Sequence, residues 1–202
     1  MSRNSLTSLS VLMLLVLTLS CSQSPQQPAP ASSSTEGAKS APPPQEAKLY
    51  DVSKDDITAI PDITSRNISV LGVKLGDRTR DVDRLLGKPI KMESLPKNLP
   101  KLYRCAYENY GIYVDIDRYA ATVLALYINT NYYKQAKGNV SELLAHGDLD
   151  LLKKCFGASP VEKHPDTQTT VWEYPQRGIQ FIHIKSEGTA SYTLKFVPPT
   201  PA

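Results

Sequence analysis

Between residues 112 and 196, apolar positions recur at every second residue in four short runs. Ile112, Val114 and Ile116 alternate with Tyr113, Asp115 and Asp117. Leu124, Leu126 and Ile128 follow. Ile179, Phe181 and His183 then alternate with Gln180, Ile182 and Ile184, and Tyr192, Leu194 and Phe196 close the series. Period-two alternation predicts strands with one buried face. Two other stretches, Asp81 to Leu86 and Leu151 to Phe156, space their apolar residues for a short helix. Each ends at a glycine, Gly87 or Gly157, with Pro89 or Pro160 just beyond, which is how helices stop. Asp77 and Asp148 stand upstream, where a carboxylate can accept from unpaired helix amides.

These features come in the same order twice. Tyr107-Glu108-Asn109-Tyr110-Gly111-Ile112 matches Tyr174-Pro175-Gln176-Arg177-Gly178-Ile179, each a turn between strand-like runs. The pattern predicts an α+β fold of two tandem units, each a helix plus a three-stranded antiparallel meander, with the helices packed on one face of the sheet. Unit one runs over 70–131 and unit two over 138–197, after a lead-in segment at 48–69 and before a disordered tail at 198–202. Two helix–meander segments that arose separately would give the same pattern.

The N-terminus follows a different logic. Arg3 is the only ionisable side chain before residue 21, and Leu6 to Ser20 is mostly apolar. That run is short for a bilayer span, which needs about 20 apolar residues, and fits a secretory signal peptide over 1–20. Leu17-Thr18-Leu19-Ser20-Cys21 resembles the lipobox of bacterial lipoproteins, although the family favours Leu at position 18 and a small residue at 19. The resemblance implies diacylglycerol on Cys21 after cleavage, hence a membrane anchor. In such lipoproteins Asp after the cysteine signals inner-membrane retention, so Ser22 resembles the outer-membrane default, facing the periplasm. Residues 22–47 contain six prolines and no Ile, Leu, Val, Phe, Tyr, Trp or Met. Such a segment cannot bury enough to fold and reads as a tether, spanning on the order of 28 Å when flexible.

Gly72-Val73-Lys74-Leu75-Gly76, the helix at 81–86 and Gly87-Lys88-Pro89 resemble the opening of small bacterial lipoproteins, among them the small lipoprotein of the outer-membrane β-barrel assembly machinery. Tandem copies of such a unit are similar to the β-lactamase-inhibitor-protein-like fold. The resemblance rests on about 20 structural residues. It implies a fold and a habit of binding proteins with an open sheet face. It implies no catalytic residue.

Composition narrows the chemistry. The formal charge of +3 falls to +2 without Arg3, and the charges are interspersed. That leaves no footprint for nucleic acid. His146, His164 and His183 stand apart from one another and from any cysteine at metal-ligand spacing. No nucleophile elbow, phosphate loop or zincin motif occurs, so no catalytic residue, metal or cofactor is assigned. Asp115 and Asp117 share a strand face and could act as an acid–base pair, but a solvated face is the simpler account. Cys105 and Cys155 can form a disulfide in an exported protein, or remain two separate buried thiols. Eight of the eleven tyrosines fall between 103 and 133. Tyr113 and Tyr127 are expected on the open side of the sheet beside Asp115, a partner-binding surface of the kind tyrosine favours. The expected function is a non-enzymatic adaptor or assembly factor for an envelope protein. The alternatives are a periplasmic enzyme with a non-local active site and a carrier of a small apolar ligand.

Overall fold

The computed structural model describes residues 48–58, 60–95, 101–129 and 138–201. Residues 1–47, on which the expected signal peptide, Cys21 and the expected tether fall, lie outside them, as do Tyr132 and Tyr133. The described chain begins with a small sheet, in which β1 (Tyr50–Asp51) runs parallel to β2 (Ile68–Val70) and β2 antiparallel to β3 (Val73–Lys74). Leu71 and Gly72 both have positive φ, giving the two-residue primed turn that suits a hairpin.

Helix α1 (Thr79–Leu86) buries Val82 and Leu86, four residues apart and so on one stripe, and stops at Gly87 with φ +77°. Four strands follow: β4 (Lys91–Ser94), β5 (Leu102–Tyr107), β6 (Ile112–Asp117) and β7 (Val123–Asn129). Then come α2 (Asn139–His146), α3 (Leu149–Phe156) and four more strands: β8 (Val161–Lys163), β9 (Thr169–Tyr174), β10 (Ile179–Ser186) and β11 (Thr189–Phe196). Asp148 caps α3 as the sequence predicts, accepting from the amides of Asp150 and Leu151 at 2.8 and 3.1 Å. Asp77 does not cap α1. It accepts from Lys74 N at 2.9 Å, while the Thr79 amide of the first helical turn donates to the Ala121 carbonyl at 2.9 Å.

The eight strands form one continuous antiparallel sheet in the order β4-β5-β6-β7-β11-β10-β9-β8. This overturns the α+β expectation of two helix plus three-stranded units: strand outweighs helix, and each half of the sheet carries four strands. The missed strands are β4 and β8, the two edges, in which every residue is exposed. With neither face buried there is no alternation to read, and their charged residues Lys91, Glu93, Glu162 and Lys163 suit an edge that must not aggregate. The helix α2 and the small β1–β3 sheet were also not anticipated.

One sheet face is the core. Ile112, Val114, Leu126, Ile128, Ile179, Phe181, Leu194 and Phe196 are fully buried, and they belong to one apolar cluster with Val82 of α1, Val140, Leu143 and Leu144 of α2 and Leu152 and Phe156 of α3. Each large side chain so enclosed stabilises by about 1.5–3 kcal/mol relative to exposure. A bulge between Asp115 and Ile116 shifts the β6–β7 register, so Val123 rather than Leu124 takes the buried place opposite Ile116.

Cys105 and Cys155 are free and buried, so the disulfide alternative gives way to two separate thiols. Burial pushes Cys105 up to about 11 and Cys155 to about 12. Both stay protonated, and therefore unreactive, near neutral pH. Alkylation with iodoacetamide at pH 7.5 should modify neither residue in the native protein and both after denaturation. Rapid native labelling of either would contradict this burial.

Candidate functional site

The side of the sheet opposite the helices carries a row of side chains crossing all eight strands. Register places Lys91, Ala106, Tyr113, Tyr127, Lys195, Gln180, Glu173 and Val161 side by side. Tyr113 and Tyr127 form a cross-strand pair, both half-buried. The predicted residues Tyr113, Asp115 and Tyr127 are therefore brought together on one face.

Asp115 is not a solvated carboxylate. It is buried, and Arg104, opposite it on β5, grips it with both ends of the guanidinium fork: Nε donates to Oδ1 at 2.7 Å and Nη2 to Oδ2 at 2.8 Å. The Tyr127 hydroxyl donates to Oδ2 at 2.7 Å. Such bidentate, charge-assisted geometry fixes orientation as well as sign. The hydrogen bond to Asp115 raises the pKa of Arg104, while burial, then the tyrosine's own hydrogen bond to Asp115, raises that of Tyr127. Asp117 takes no part in an acid–base pair. Its Oδ1 accepts from Tyr119 N and Ala120 N at 2.7 and 2.8 Å, closing the β6–β7 turn.

Two cations approach the Tyr127 ring. Arg104 Cζ lies 4.5 Å from its centroid and Lys195 Nζ 5.3 Å. On the far side of Lys195, Gln180 Nε2 donates to Glu173 Oε1 at 2.7 Å, and Lys163 Nζ bonds Glu173 Oε2. The Lys163 bond, first, holds Glu173 below the usual carboxylate range.

Arg104 and Lys195 escape the sequence reading. Arg104 is recoverable: with Tyr107 set opposite Ile112 across the turn, counting three residues out along each strand reaches Arg104 and Asp115. Lys195 has only the alternation of Leu194 and Phe196 to announce it as outward-facing. The tyrosine-rich run is dispersed among the described residues. Tyr107 bonds Asp83 from the helix side at 3.3 Å, Arg118 lies over Tyr103, and Tyr119 is exposed in a turn.

Elsewhere the chemistry is sparse. No group of three or more His, Cys, Asp or Glu comes together among the described residues. His183 stacks between Trp172 and Tyr192 with its Nε2 buried and unbonded. A cavity of about 500 Å³ at the end of α3 is lined by Phe156, Tyr174, Pro175 and Arg177, among others. Arg177 there donates to the Ile63 carbonyl at 3.1 Å and is the one charged group among the described residues of the lining. Among the described residues no helix is long and apolar enough to cross a membrane. No family model, curated protein or solved structure matches the chain.

Proposed function

We propose that this chain is a lipid-anchored cell-envelope protein that binds another envelope protein through the face opposite its helices, without catalysing a reaction. The anchor is diacylglycerol on Cys21, the site is the outer membrane facing the periplasm, and residues 22–47 are the tether. The supporting observation is the cross-strand pair Tyr113–Tyr127, half-buried and set beside the buried Asp115 that Arg104 grips. Aromatic area on a rigid strand, held in place by a charge-assisted bond, is what a protein hot spot requires.

Two linked readouts test this reading. Cys21→Ser should abolish lipid labelling and move the protein out of the membrane fraction. A photocrosslinking residue at Thr193, on the open face, should trap a discrete protein adduct in native membranes, whereas one at Lys154 on α3 should not. Tyr113→Ser should weaken that complex by about 2 kcal/mol or more. Tyr127→Ser is a poorer probe, since it also removes a hydrogen bond to Asp115. A Cys21→Ser protein that stays membrane-bound refutes the anchor, and equal trapping from Thr193 and Lys154 refutes the face.

A further inference from the structure

Three of the cations on the open face are already bonded to carboxylates. Arg104 is bonded to Asp115, Lys163 to Glu173, and Lys91 to Glu93. Lys195 is the cation left over. Among the described residues no carboxylate bonds its ammonium; its neighbours are the Tyr127 ring and, on the adjoining strand, Gln180.

Its position is the centre of the fold. Asn129 N donates to Gly111 O and Val197 N to Gly178 O, and counting two residues back from each donor sets Tyr127 in the place of Lys195. Those two residues are also direct partners across the β7–β11 seam, with Leu126 opposite Phe196 and Ile128 opposite Leu194 symmetrically around them. Lys195 therefore stands at the middle of the sheet, with four strands on either side of the seam. Lys195 is half-buried, and partly desolvating an ammonium without a bonded counter-ion is unfavourable, a cost that falls when a partner supplies one. Burial does lower the Lys195 pKa, with Arg104 adding repulsion while Asp115 and Glu173 attract from a distance.

Building on the adaptor reading above, we propose that Lys195 is the receptor for a carboxylate on an acidic, extended segment of the protein partner, flanked by Tyr127 and Tyr113. Beside the centre of this face Asp115 and Glu173 are each already bonded to a cation, whereas Lys195 has no bonded carboxylate, so an acidic segment laid across the seam finds its counter-charge there.

The test uses full-length protein in detergent micelles with 13Cε-labelled lysine, titrated with end-blocked peptides of alternating Val and Glu or Val and Gln. The Glu peptide should shift the Lys195 signal and bind at least about 10-fold more tightly than the Gln peptide. Its binding should weaken with salt. Lys195→Met, which keeps the apolar stem, should remove that preference, and Lys195→Arg should retain it. Equal binding of the two peptides, binding of neither, or an unchanged preference in Lys195→Met overturns the proposal. If the Thr193 adduct forms as strongly with Lys195→Met as with the parent protein, the face still binds its partner and only the carboxylate receptor is refuted.

Discussion

Gly178→Ala is expected to destabilise the protein by about 3 kcal/mol or more, placing it in the far tail of single substitutions. Gly178 sits at φ +67°, and a Cβ built there would stand 2.0 Å from the Val197 carbonyl oxygen, 2.5 Å from Ser65 Oγ and 2.9 Å from Pro199 N. The first two of these groups are already bonded to each other, Ser65 Oγ donating to the Val197 carbonyl, and Val197 N donates back to Gly178 O at 2.8 Å. One glycine thus lets the β9–β10 turn, the end of β11 and the lead-in segment meet. The control is Gly188→Ala, at φ +74° with nothing within 4 Å of the added Cβ, which should cost only the left-handed penalty of about 1–2 kcal/mol. Urea unfolding of both variants separates backbone conformation from close approach. Equal midpoints would mean that the Val197 carbonyl moves aside freely.

The same glycine illustrates what was legible in the sequence. Gly111 and Gly178 follow matching Tyr-containing segments, and both close a short 3-10 turn in the left-handed conformation. Such a position strongly favours glycine, so the match reads directly as a turn. The core face repeats because burial demands it: Ile112 answers Ile179, Val114 answers Phe181, and Leu126 and Ile128 answer Leu194 and Phe196. Where burial makes no demand, the signal fades. The edge strands β4 and β8 have no buried face, and the joining of the two halves into one sheet depends on β7 pairing with β11, far apart in sequence. Helix α2 did leave a trace in Val140, Leu143 and Leu144, but its terminal Gly147 abuts Asp148, the cap of α3, so two helices crowd into one polar–apolar stretch.

The open face is the converse case. Its residues differ between the halves, Tyr113 against Gln180 and Asp115 against Ile182, so the repeat gives no guidance there. Asp115 reads as solvated because its neighbours in sequence are unremarkable, and only register reveals Arg104. The matching core positions stay apolar in both halves because burial requires it, and the open face carries no such requirement.

Substitution of the Arg104–Asp115 pair separates what this face does for the fold from what it does for binding. Arg104→Met should cost about 2–3 kcal/mol, somewhat below the penalty for a fully buried pair, because the guanidinium keeps about a third of its exposure while the carboxylate is nearly enclosed. Asp115→Leu should cost less, since Arg104 can turn toward solvent. The double variant should recover much of the loss, with a coupling of about 1.5 kcal/mol or more in a double-mutant cycle. Additive losses would mean that the two groups do not depend on each other. Recovery of stability should not bring recovery of binding. Without Asp115 the Tyr127 hydroxyl has lost its acceptor and the ring its fixed place beside Lys195, so the Thr193 adduct should remain weak in a protein that melts almost normally. A double variant that binds as well as the parent would show that the pair serves the fold alone.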